Sequence, residues 1–330
     1  MARDIDYNVL FIIAAWVEAV AYGFLFCMFC VNMYFTFGGG RRNSDGHSKV
    51  LLGISGSMFI IATIHVCLSC YRLVVAYVFN RLNRFGGPAG FMGNLGHWSA
   101  VLYETLYATQ EILGGAAAIY RCWVIWNKDF KIVALPIALL IIAMVFGYGT
   151  DVLFTRQGSL ESNLSRLPML LTWIRTFYAV AVVQNLLTTG LMVYAIYRNY
   201  RKTVGANLRT YGGVRLTWLM RTMVEAAALQ LLIEVLLLIL FLCRTNIQYI
   251  FLDLVVPVIG ITFNAMTISY RLRLLTEKSG GDTALSSWKP ASQPRSDRTQ
   301  TTMTQIDDVD GIELDDGTYR RDKHRSLADL

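Results

Sequence analysis

The sequence predicts an all-α membrane protein: a seven-transmembrane helix bundle over residues 1–275, followed by a disordered tail over 276–330. Three observations predict it. The 330 residues are 55% apolar and only 16% charged, with a mean hydropathy of +0.43; in a soluble domain about a quarter of the residues are charged. The apolar residues collect in runs of about 20 or more, long enough for a helix to cross the roughly 30 Å hydrocarbon core. Such runs exceed barrel strands of about ten residues, and only helices or closed barrels satisfy every backbone polar group in lipid.

The first run, 9–35, follows "MARDIDYN", which has two acids against one arginine. It is too long for a signal-peptide core and is expected to be kept as the first span. The second, 50–78, carries His65 and Arg72. The third, 98–122, sets Glu104 and Glu111 two turns apart on one side of a helix, with the small Ala108 between them. Gly114, Gly115 and Ala116 to Ala118 then read as close helix packing. The fourth run is 132–154, and the fifth, 170–196, carries Arg175. The sixth, 218–243, holds Arg221 and Glu225 at the spacing of a local ion pair, then Gln230 and Glu234. The seventh, 248–270, places Asp253, Pro257, Gly260 and Asn264 on one side. Beyond 276 the chain turns rich in Ser, Thr, Asp and Pro, and cannot bury enough apolar surface to offset the entropy of ordering.

Cytoplasmic loops collect Lys and Arg, and this sets an orientation. The first, third and fifth connections and the start of the tail hold Arg41, Arg42, Lys49, Lys128, Lys131, Arg198, Arg201, Lys202, Arg209, Arg215, Arg271, Arg273 and Lys278. The opposite set is smaller: Arg3, Arg81, Arg84, Arg156, Arg166 and Arg244. The N-terminus is therefore expected outside and the tail in the cytosol. The sequon "NLS" at Asn163 falls in the fourth connection, on the expected outer side, and makes Asn163 a glycosylation candidate. The tail holds 11 Asp/Glu against 8 Lys/Arg, so the membrane part carries the positive excess. Basic loops beside a bilayer account for it, and no nucleic-acid partner is implied.

The third span ends in "AIYRCWVIWNKDF". Arg121 can snorkel to the phosphate level there, with Trp123 and Trp126 in the interface belt. The alternative is a cytoplasmic switch. In rhodopsin-like receptors an arginine ends the third span within an acid-Arg-aromatic motif; here Tyr120 precedes Arg121, and "VPVIGITFNAMTISY" lacks an Asn-Pro-x-x-Tyr pattern. Cys122 beside it is a candidate for acylation.

"YRCWVIW" after a Gly/Ala-rich third span, the acid in "RTMVEAAALQLL" and the closing "FNAMTISYRLRLL" resemble a large set of basidiomycete seven-helix membrane proteins. The resemblance covers about residues 9–275. It implies a seven-helix fold that is receptor-like in topology, without an established biochemical role.

Several chemistries can be set aside. "CMFC" at 27–30 and "CLSC" at 67–70 have zinc-like spacing, but the two pairs differ in depth by roughly 20 Å at 1.5 Å per residue. Of the four histidines only His65 lies inside a span, too few for an intramembrane zinc or haem site. The seventh run has no lysine for a retinal Schiff base, and "GGG" at 38–40 lacks the Lys-Ser/Thr of a phosphate loop. No enzyme, metal or cofactor is expected.

Ionisable groups in lipid are costly and usually face the bundle interior. Glu18, Arg72, Glu104, Glu111, Arg175, Glu234 and Asp253 fall in the expected outer half or near mid-depth. They are candidates to line an acidic, outward-opening cavity suited to a cationic or polar ligand. The alternative is that they form buried pairs that only hold helices together. The functional expectation is a plasma-membrane sensor of an extracellular small molecule, with a cytosolic signalling partner at the 197–217 loop and tail. A transporter or channel for a small polar or cationic solute is the alternative, and would call for repeats or broken helices.

Overall fold

A computed structural model describes residues 7–37, 46–80, 87–155, 160–205 and 212–286. Eight α-helices appear among them: α1 (Tyr7–Phe37), α2 (Gly46–Val74), α3 (Gly87–Met92), α4 (Trp98–Ile125), α5 (Phe130–Thr155), α6 (Leu160–Gly205), α7 (Gly212–Leu242) and α8 (Gln248–Ser286). A π-helical turn, Val75–Phe79, continues α2. The chain divides into two units, Met1–Thr283 and Ala284–Leu330. Of the second only residues 284–286, the end of α8, are described. The helix thus runs past the expected boundary at 276, and the rest of the expected tail lies outside the described residues.

Six helices are long and apolar enough to cross a membrane: segments of α1, α2 with its π turn, α5, α6, α7 and α8. Their outward surfaces carry Trp16, Phe24, Ile60, Leu135, Val145 and Leu186, all exposed. A soluble protein does not leave so much apolar surface in water, whereas a bilayer covers it. The chain is therefore a multi-pass membrane protein. The third expected span, α4, has the length, at 28 residues, but not the apolarity of the six. Tyr103, Glu104, Gln110 and Glu111 lower it, and packing against α2, α5 and α6 gives those polar groups protein rather than lipid as surroundings.

α8 lies at the centre. Of its spanning window 67% is buried, against 22–39% in the other five. Close approach is built from glycine: a Cβ on Gly114 would come within 2.7 Å of Ile259 Cγ2, and one on Gly115 within 2.3 Å of Gln184 Nε2. α4 therefore meets α8 on one side and α6 on another at distances a larger residue forbids. Leu25, Met58, Tyr107, Ile233, Leu237, Val256, Ile259 and Phe263 form one apolar core between the helices.

The connections fix the ends. His97 caps α4, its Nδ1 accepting from the Ser99 amide at 3.3 Å. Asn127 and Lys128 take positive φ after α4, and the Asp129 Oδ1 accepts from the Lys131 amide at the start of α5. Prolines 136, 168 and 257 all lie inside helices, which membrane helices tolerate when neighbours or Ser/Thr side chains satisfy the freed carbonyls.

Candidate functional site

Two chambers occupy the end of the bundle that carries α3. Each has a volume of about 270 Å³, near the lower limit for small-molecule pockets of about 300–1,000 Å³. They share Leu95, Glu104, Tyr249 and Leu252 as walls. The first lies among α1, α2, α3, α4 and α8, and is lined by Arg72, Tyr103, Glu104 and Asp253. Arg72 reaches it from the last turn of α2. Its guanidinium carbon sits 4.8 Å from the centre of the Tyr103 ring. Its Nη2 donates to the Met92 carbonyl at 3.3 Å, tying α3 across the opening. Asp253 faces the same chamber from α8. The second chamber lies among α4, α5, α6, α7 and the start of α8. Its walls are mostly aromatic, with Glu104, Thr150, Asp151 and Gln248 as the polar groups. Together the chambers face three acids and one arginine, so a cation is favoured over an anion.

Further along the bundle, the acids are held in two knots. In one, His65 Nδ1 lies 2.5 Å from Glu18 Oε1, the Tyr103 hydroxyl donates to Glu18 Oε2 at 3.5 Å, and the His65 and Tyr103 rings stack at 3.9 Å. In the other, Asn185 Nδ2 donates to both oxygens of Glu234, at 2.7 and 2.6 Å, and reaches Glu111 Oε1 at 3.4 Å. Gln230 Nε2 donates to Glu234 Oε1 at 2.9 Å, and the Thr262 hydroxyl donates to Gln230 at 3.2 Å. This knot joins α4, α6, α7 and α8. Gln110 adds a bond from α4 to the Val256 carbonyl of α8 at 3.1 Å.

At the opposite end Arg121 does not snorkel outward. It is buried, 9% exposed, and turns onto α8. Its Nη2 donates to the Phe263 carbonyl at 2.8 Å and to the Thr267 hydroxyl at 3.1 Å, while its Nη1 donates to Met266 Sδ at 2.6 Å. The guanidinium carbon lies 4.0 Å from the Phe263 ring centre. The reason is chemical: α8 offers three acceptors and a ring face in one patch, and the planar guanidinium matches it. A cavity of about 30 Å³ lies beside it, with Asn185, Thr188 and Gln230 in its wall. Nearby, Asn264 Oδ1 accepts from Asn32 Nδ2 at 2.8 Å and from the Ser55 hydroxyl at 2.6 Å, which joins α1, α2 and α8. Cys122 is fully buried, so its sulfur is not presented for acylation.

The structure thus brings Arg72, Glu104 and Asp253 to one chamber, with Glu18 bonded to its wall through Tyr103. It brings Glu111 and Glu234 to one amide. Arg175 joins neither group and is exposed on α6. The backbone of α6 is helical through Asn163, where the sequence places a loop; the Asn163 side chain lies outside the described residues. No group of three or more His, Cys, Asp or Glu could hold a metal among the described residues. Sequence reasoning missed Tyr103, Asp151 and Asn185. It weighed charge inside the spans, whereas a search for any hydrogen-bonding side chain in an apolar run, such as the Gln-Asn pair in "VVQNLL", would have found Asn185. Comparisons with protein-family models, curated proteins and solved structures found no match.

Proposed function

We propose that the chain is a seven-helix, receptor-like sensor of the plasma membrane, with its N-terminus outside and its tail in the cytosol. A small extracellular molecule occupies the chambers at the α3 end, and the opposite end carries the signal. In this reading α4 is the seventh span: its 28 residues rise about 42 Å at 1.5 Å each, and its polar side is turned away from lipid. The resemblance to basidiomycete seven-helix proteins agrees with that count, and the balance of Lys and Arg supports the orientation. Glycosylation at Asn163 follows from the same orientation.

The observation that carries the proposal is the use of two helices for both ends. α4 and α8 line the chambers through Glu104 and Asp253, and the same helices are clamped together by Arg121 against Phe263, Met266 and Thr267. A ligand that binds better to one relative placement of α4 and α8 biases the clamp. Tyr197, Arg198 and Arg201 are exposed near the end of α6 and suit a cytosolic partner at residues 197–217, where the expected loop is helical through Gly205 and again from Gly212. Transport of a small polar or cationic solute is the competing reading. It requires a path past the Glu111–Asn185–Glu234 knot, which joins α4, α6 and α7, and past the Asn32–Ser55–Asn264 junction, which ties α8 to α1 and α2.

The test uses the full chain in proteoliposomes, with dyes at position 201 near the end of α6 and position 272 in the second half of α8. A sensor answers an externally added ligand with changed energy transfer, and the ligand stays outside the vesicle. Protein-dependent accumulation of that ligand inside the vesicle overturns the sensor reading in favour of transport.

A further inference from the structure

Two residues that line the aromatic chamber at the α3 end each carry a buried acceptor oxygen without a donor. Asp151 is 8% exposed, and its Oδ2 has no partner. Gln248 enters the same chamber from the start of α8, and its buried Oε1 also lacks one. Glu104 supplies a third acceptor group on the wall shared with the neighbouring chamber. Among the described residues, no Lys, Arg or His lines the aromatic chamber. Buried acceptors without donors are unfavourable, so these residues favour a hydrogen-bond donor in the chamber, and the acids favour one with positive charge.

The rest of the wall points the same way. Tyr107, Phe177, Tyr178 and Phe241 form a continuous aromatic surface. Ring centres lie 6.2 Å apart for Tyr107 and Phe177, 5.9 Å for Phe177 and Tyr178, and 5.3 Å for Tyr178 and Phe241. Ring faces attract cations and accept apolar bodies. We infer that the chamber lined by Asp151, Gln248 and these rings binds a primary ammonium carried on an apolar, arene-sized body. The ammonium sits on the Asp151 side of the chamber, and the body lies among Tyr107, Phe177 and Tyr178. Arg72 and Asp253 line the neighbouring chamber. The inference deepens the sensor reading by naming the ligand class of one of its chambers.

Direct binding tests it. The full chain in lipid nanodiscs is heated with phenethylammonium, with 2-phenylethanol, which keeps the body and a donor but no charge, and with phenylacetate, which reverses the charge. Phenethylammonium is expected to raise the unfolding temperature in a saturable way, and the alcohol and carboxylate are not. Asp151→Asn weakens the ammonium by about tenfold to a hundredfold, the range of one charge-assisted hydrogen bond. Ala108→Leu, which fills the chamber without altering charge, abolishes the shift. If Asp151→Asn does not fold, Glu104→Gln and Ala108→Leu carry the test. The inference is overturned if none of the three compounds binds, which leaves the chamber to water, if the alcohol binds as well as the ammonium, or if Ala108→Leu leaves binding intact. Nanodiscs expose both faces, so an inverted topology would refute the sensor reading and leave this result standing.

Discussion

Replacing Arg121 with lysine is expected to destabilise the protein more than replacing it with methionine. The guanidinium makes three contacts with α8, at 2.6, 2.8 and 3.1 Å, and lies over the Phe263 ring. A hydrogen bond from a charged donor contributes about 1.5–3 kcal/mol, and a desolvated cation–π contact about 2 kcal/mol. A lysine ammonium has no fork with which to span the patch, keeps roughly one of the bonds and remains buried. The net loss is about 2–4 kcal/mol. Methionine removes the charge together with its desolvation cost. The Phe263 carbonyl still accepts from the Thr267 hydroxyl at 2.9 Å, so no acceptor is orphaned, and the loss is about 1 kcal/mol or less. The opposite order follows if the arginine snorkels to the phosphates, because lysine snorkels equally well and methionine does not. Reversible unfolding in mixed micelles measures both variants, and a lysine variant as stable as the parent would refute the clamp.

Asn185→Leu removes the amide shared by Glu111 and Glu234 and should lower stability by about 2–4 kcal/mol. A cycle with Glu234→Gln should show coupling of about 1 kcal/mol or more, and additivity would mean the knot is not a unit. Gly149→Ala sets a Cβ 2.1 Å from the rigid Trp173 ring and should cost about 1–3 kcal/mol. Gly190→Ala meets nothing within 4 Å and should be neutral or stabilising by up to about 1 kcal/mol; comparing their melting temperatures checks the α5–α6 contact. Asn264→Leu strips the common acceptor from Asn32 and Ser55, and is expected to cost about 1–3 kcal/mol in the same unfolding assay.

The lipid-facing helices were legible because a bilayer demands long apolar runs, and six of the seven runs contain helices apolar enough to span. The run at 98–122 was legible as a helix but not as the polar element it is. A helix shielded by α2, α5, α6 and α8 escapes the demand for apolarity, so Gln110 and Glu111 sit where hydropathy alone expects Leu. Charge inside the spans pointed to Glu104, Glu111, Glu234 and Asp253, since ionisable groups survive in a bundle only where protein surrounds them. It misled at Arg175, because periodicity does not say which face of α6 meets the neighbours. Arg121 was legible as special but not in direction: a long side chain near a helix end can turn outward or inward, and Phe263, Met266 and Thr267 on a helix more than 140 residues away decide it. Pairings such as Asn185 with Glu234 have no local signature, because each partner comes from a different helix.

The most direct test of the account is the sidedness of the chain. Epitope tags at the N-terminus and the tail are read in intact and permeabilised cells, and a shift on glycosidase treatment is followed with and without Asn163→Gln. The account predicts an N-terminal tag accessible in intact cells, a tail tag accessible only after permeabilisation, and a glycosidase shift that disappears with Asn163→Gln. A tail tag accessible in intact cells would turn the α3 end and its chambers toward the cytosol and contradict the proposal that they receive a molecule from outside.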